Sequence, residues 1–90
     1  MAKVIASLKV FPTETTVNLQ RLREKISASL PADASVYRFD EEPIAFGLVA
    51  LIAHIAMPED LSGKMEEVEN ALKRIPEVSE IQVITVSRAS

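Results

Sequence analysis

The longest apolar stretch covers residues 44–57, where Gly47 and His54 alone interrupt the hydrophobic side chains and prolines stand just outside at Pro43 and Pro58. It is short of the ~20 residues that a membrane-spanning helix needs. An apolar run between breakers predicts a strand buried centrally in a sheet, with a buried helix as the alternative that periodicity leaves open. Residues 3–10 alternate instead. Val4, Ala6, Leu8 and Val10 point one way and Lys3, Ser7 and Lys9 the other, which predicts a strand with one buried face and Ile5 as the large apolar residue on its outer side. Phe11 and Pro12 open a loop of Thr and Glu reaching Val17.

Two stretches carry the helical period. Leu19, Leu22, Ile26 and Leu30 form one stripe behind Asn18, a natural N-cap, and Pro31 ends it because the residue before a proline avoids helical geometry. Met65, Val68, Leu72 and Ile75 form the second, with Ser62 favoured over Asp60 as its cap and Pro76 as its stop. Glu66, Glu67 and Glu69 in its first half and Lys73 and Arg74 in its last turn complement the helix dipole. Between the helices, residues 34–40 favour a strand through Val36, Tyr37 and Phe39, and Asp40-Glu41-Glu42-Pro43 looks like a short hairpin connection into the long apolar strand. Residues 78–87 form the last strand. Its apolar parity changes between Val83 and Ile84, which predicts a bulge or burial on both faces.

The order strand, helix, strand, strand, helix, strand predicts an α+β fold. Two right-handed βαβ crossovers interleave into a ferredoxin-like βαββαβ sandwich, a four-stranded antiparallel sheet with two helices on one face. No linker or repeat divides the chain, so residues 1–90 are expected to form a single domain. The 48% hydrophobic content suffices for one core. There is no cysteine, which removes disulfides, thiolate metal sites and a cysteine nucleophile. A net charge of −3 and four aromatics, Phe11, Tyr37, Phe39 and Phe46, argue against general nucleic-acid binding. The composition and the absence of a signal-like block at the start suggest a soluble, cytoplasmic protein.

Candidate chemistry is sparse. His54, the one histidine, lies within the apolar strand without a second histidine or cysteine, and reads as structural. Asp40, Glu41 and Glu42 are successive carboxylates, which cannot all converge on a cation from one turn, and read as a solvated acidic hairpin. No Gly-rich phosphate loop is present. An RNA-recognition domain would show stacking aromatics on its central strands; here the first offers none outward, and the third offers Phe46 near its start. An acylphosphatase would need Arg in the loop after the first strand and Asn on the third, and neither is there. Two readings of Phe46 fit its position: a core residue where the strand begins, with Gly47 allowing a bulge, or an exposed anchor for a protein partner.

The segments KVIASLKVFP, NLQRLREKISASLP, EEPIAFGLVAL and VENALKRIPEVSEIQV together resemble the archaeal elongation factor 1-beta family and the C-terminal exchange domain of its eukaryotic counterpart. EEPIAFG is the most specific of them, and the resemblance runs along the whole chain. It implies guanine-nucleotide exchange on elongation factor 1-alpha, the GTPase that delivers aminoacyl-tRNA. Such a factor catalyses no bond chemistry and needs no cofactor. The implied partner is the GTPase alone, without nucleic acid or membrane, and the factor itself is expected to be a monomer or weak homo-oligomer. The resemblance also implies partner-binding roles for Pro43, Ile44, Ala45, Phe46 and Gly47. In the eukaryotic family a lysine near the C-terminus is thought to disturb the Mg²⁺ and phosphate region; that position falls on Arg88, a departure that keeps the charge but changes its shape. A ferredoxin-like RNA-binding or ribosomal-protein-like module is the alternative function, and sheet-mediated oligomerisation through the apolar outward side of the long strand is a third.

Overall fold

The computed structural model describes residues 3–59 and 63–89. Its elements are β1 (Lys3–Pro12), α1 (Leu19–Ser29), β2 (Ser35–Pro43), β3 (Val49–Pro58), α2 (Lys64–Lys73) and β4 (Val78–Ala89). The strands form one sheet in the order β2-β3-β1-β4 with every neighbouring pair antiparallel, the expected ferredoxin-like sandwich.

Strand alternation sends Ala6, Leu8 and Val10 of β1 and Leu51, Ala53, Ile55 and Met57 of β3 to one face, where they meet Leu22 and Ile26 of α1 and Val68 and Leu72 of α2. All of these are buried, and both helices share that core. Burial of this apolar surface, at about 25 cal/mol per Å², is the main force holding helices to sheet. Asn18 caps α1, its Oδ1 accepting the Arg21 backbone N–H at 3.0 Å, and Leu30 before Pro31 is extended at ψ 150°, as the proline requires. The cap of α2 differs from expectation. It is Gly63, at φ +99°, which supplies backbone conformation and no side-chain bond; Ser62 and Asp60 lie outside the described residues.

The hairpin between β2 and β3 is displaced from where its charge pattern suggests. Asp40-Glu41-Glu42-Pro43 is strand, paired to Val49–Ile52, and the turn is made by the residues after it. Pro43 is tolerated because β2 is an edge strand. The parity change in β4 is a bulge, one of the two readings that the sequence allows. Ser7 pairs with Thr85 and Leu8 with Val83, leaving Ile84 as the extra residue. Tyr37 is similarly skipped between β2 and β3, and it is exposed.

Candidate partner-binding surface

The hairpin turn is the segment Ala45-Phe46-Gly47-Leu48. The Leu48 N–H donates to Ala45 O at 3.0 Å and the Ile44 N–H to Leu48 O at 2.9 Å, closing the tip. Its two central residues both have positive φ, Phe46 at +54° and Gly47 at +81°, the requirement of a type I′ hairpin turn. Asn, Asp and Gly meet that requirement readily; a bulky aromatic does so at a cost of about 1–3 kcal/mol. A Cβ on Gly47 would sit 3.6 Å from the Thr15 methyl, ordinary contact, so backbone conformation rather than space selects glycine there.

Phe46 is 98% exposed, and Ile44 beside it is exposed at 39%. The core reading of Phe46 is therefore excluded. The tip sets a large apolar ring in water on a backbone that disfavours it, and neither feature adds to the stability of the sheet. Outlying backbone of this kind clusters at binding sites. Pro43, Ile44, Ala45, Phe46 and Gly47 are brought together at this one end of the molecule.

Arg88 is at the other end. It pairs with Val4, which pairs across with Met57, whereas Pro43 pairs with Val49. Eight residues of β3 at about 3.4 Å each separate the two levels by roughly 27 Å, within a molecule 41 Å long. The Arg88 side chain is 75% exposed, and its Nη2 donates to Glu59 Oε1 at 2.5 Å. The two sequence-predicted sites are thus not one site.

The acidic run does not gather. Alternation turns Asp40 and Glu42 to the open face of the sheet and Glu41 to the helix side, and each carboxylate finds a cation: Asp40 meets Arg38, Glu41 meets Arg23 and Glu42 meets Lys9, with the His54 ring also against Asp40. They are ion-paired rather than merely solvated. On the open face Lys9 also sits over the Phe11 ring, 5.7 Å from its centroid, which leaves that face little basic charge for a phosphate backbone.

His54 is structural, as its surroundings in the sequence suggest, but its partners come from strands on either side. Its Nε2 is 2.8 Å from Asp40 Oδ2 and its Nδ1 is 2.7 Å from Ser7 Oγ. The hydrogen bond from His54, helped by Arg38, holds the Asp40 carboxyl below its ordinary value. An ionised carboxylate only accepts, so neutral His54 carries its proton on Nε2 and accepts the Ser7 hydroxyl at Nδ1. Ser7 is buried and its strand's N–H groups are committed to the ladder, so the chain Ser7–His54–Asp40 ties β1, β3 and β2 together rather than activating a nucleophile. Ser7 and His54 are directly opposed in register; pairing the two predicted strands would have revealed the contact.

No helix among the described residues is long and apolar enough to cross a membrane. The C-terminal domain of the MgtC protein from Mycobacterium tuberculosis has a similar fold, with a TM-score of 0.59 at 14% identity over 98% of this chain and 88% of that one. The EF-1 guanine nucleotide exchange domain matches residues 5–89. Among curated proteins, elongation factor 1-beta of Staphylothermus marinus is 43% identical over 88 residues and that of Aeropyrum pernix 47% over 88, each alignment covering 98% of both chains. Elongation factor 1-beta of Hyperthermus butylicus is 40% identical over 90 residues, covering 100% of this chain and 98% of its own. A domain match and a similarity that both run the length of the chain lead to one conclusion: the chain belongs to the EF-1 guanine nucleotide exchange domain family.

Proposed function

We propose that this exchange factor holds the translation elongation GTPase, elongation factor 1-alpha, at two points along one rigid sheet: the Phe46 tip anchors the partner and Arg88 acts on the nucleotide's phosphate and Mg²⁺ region. The observation that carries the reading is the full exposure of Phe46 on left-handed backbone, an arrangement that costs stability and suits an anchor. Ile44 adds apolar area beside it, while Pro43, Ala45 and Gly47 set the shape of the tip.

Exchange forms and breaks no covalent bond. The factor binds the GTPase and weakens GDP by the free energy with which GDP weakens the factor. Mg²⁺ and its phosphate contacts hold nucleotide in such GTPases, so a cation brought to that region disfavours the bound state. Arg88 reaches outward, and its tie to Glu59 is an exposed ion pair worth about 0–1 kcal/mol, small enough to be given up when phosphate or carboxylate oxygens of the partner compete. A guanidinium grips two oxygens in a fixed fork where lysine offers a point charge. Arg88 therefore competes with Mg²⁺ for the oxygens rather than occupying the ion's place. Translation sets this work in the cytoplasm.

The test is release of fluorescent GDP from elongation factor 1-alpha at increasing concentrations of this protein. Arg88→Ala is expected to lower the maximal release rate about tenfold or more with the half-saturating concentration little changed. A full maximal rate in that variant would remove Arg88 from the mechanism while leaving exchange itself intact.

A further inference from the structure

The Phe46 tip does not stand alone at its end of the molecule. The loop between β1 and α1 comes up beside it, and the Thr15 methyl lies 3.6 Å from where a Cβ on Gly47 would be. Because Gly47 has no side chain, a small cleft of about 70 Å³ stays open between loop and tip. Pro12, Val17, Leu19 and Val49 give it apolar walls, and Glu14 lines it from the loop.

Glu14 differs from its neighbouring carboxylates. Asp40, Glu41, Glu42 and Glu77 each meet a cation. Glu14 is exposed and forms no ion pair among the described residues. Its loop is nevertheless held in place. The Thr13 N–H donates to Glu77 O at 2.9 Å, the Val17 N–H donates to Glu14 O at 3.3 Å, and the Asn18 cap follows directly. A backbone already ordered in this way costs little further entropy when a partner binds it.

We infer that the cleft receives a lysine side chain of the GTPase, its methylene stem against Val17, Leu19 and Val49 and its ammonium on Glu14. The inference rests on the reading of Phe46 as the anchor, because cleft and anchor share the turn at Gly47. Three features select the occupant. The volume suits a narrow chain of a few atoms and is well below the roughly 150 Å³ of a cavity that admits benzene. The walls are apolar, and a lysine stem buries along apolar surface while its charged head stays at the rim. The charge lining the cleft is negative and unpaired, so an acidic side chain would be repelled and an apolar one would desolvate Glu14 without compensation. A charge pair beside a large apolar anchor also fixes the register in which the partner is held.

Release of fluorescent GDP from elongation factor 1-alpha tests this, because the half-saturating concentration of the factor follows binding while the maximal rate follows exchange. Glu14→Gln, checked for an unchanged melting temperature, is expected to raise the half-saturating concentration about tenfold at low salt and to keep the maximal rate. The gap from the unmodified factor is expected to narrow as salt rises from about 50 mM to about 500 mM. Thr15→Leu, which lengthens a wall residue across the cleft, is expected to weaken binding likewise. Glu66→Gln, the same change of net charge at an exposed site on α2, is expected to bind normally. Normal half-saturation in Glu14→Gln or in Thr15→Leu overturns the inference, and so does equal weakening by Glu66→Gln. Phe46→Ala measured alongside separates the two readings. If it weakens binding while Glu14→Gln does not, the anchor stands and the cleft inference falls; if it binds normally, the anchor reading falls and takes the inference with it.

Discussion

Replacing Phe46 by alanine separates anchor from fold because the ring is 98% exposed in the free protein. No buried apolar area is lost from the core, and alanine keeps the left-handed strain, so stability should change by less than about 0.5 kcal/mol, as for ordinary surface substitutions. Binding should respond differently. Fully burying a phenylalanine side chain is worth about 1.5–3 kcal/mol, so the variant should bind elongation factor 1-alpha about 10- to 150-fold more weakly. Phe46→Asn sharpens the contrast. Asn-Gly is the preferred pair for this turn, so the variant should gain up to about 1 kcal/mol of stability while losing the same affinity. Calorimetric titration of the GTPase and thermal melts of the free factor give both numbers for each variant. Normal affinity in Phe46→Ala with a melting temperature lowered by several degrees would refute the reasoning, since the ring would then be acting within the fold.

Two further outcomes follow from the same geometry. Gly47→Ala has space for its methyl group beside Thr15 but requires φ +81° of an L-residue, so it should destabilise the hairpin by about 1–2 kcal/mol, measured by denaturant unfolding, and weaken the partner through a misplaced tip. At low pH, Asp40, held below 3.8 chiefly by its hydrogen bond from His54, and Glu77, held below 4.5 chiefly by Lys25, contribute stability that is complete above those ordinary values. That stability is lost as pH falls through the lower folded values. Asp40→Asn should therefore flatten the acid limb of a stability–pH profile, and an unaltered limb would assign the loss to other groups.

Most of the architecture was legible because it rests on period. The Leu19–Leu22–Ile26 stripe and the alternation of β1 can be read locally, and the parity change at Ile84 narrows that point to a bulge or burial on both faces. Charge and proline before the hairpin resemble a turn; in fact Glu41 and Glu42 each meet a cation from another element, and Asp40 meets Arg38 of its own strand and the His54 ring of β3, which no local pattern reveals. Spacing alone leaves Phe46 open between core and anchor, because it adjoins an apolar run. Its neighbour Gly47 held the signal: a glycine between two strand-forming segments marks a turn, and the residue before it shares the tip. The Ser7–His54–Asp40 chain depends on residues 47 and 14 positions apart in sequence and emerges once the strands are paired.

The roughly 27 Å between the Phe46 tip and Arg88 gives the sheet a mechanical meaning. Both contacts belong to strands of one continuous hydrogen-bonded ladder: β2 and β3 carry the tip, and β1 joins β3 to β4 and its terminal Arg88. A continuous sheet cannot shorten to fit, so the proposed two-point mode requires a partner whose two receiving surfaces stand at that spacing. In the proposed mode, once the tip is seated, Arg88 would be delivered at a high effective concentration without needing affinity of its own. A weakly held arginine is then better suited than a strongly paired one, because its exposed bond to Glu59 positions the side chain yet yields to the partner's oxygens. In the proposed mode anchor and effector divide the work: binding free energy comes from the apolar end, and the coupling against nucleotide from the charged end. Residues this far apart with no shared contacts should act additively on affinity, while the maximal rate of release should respond to Arg88 alone.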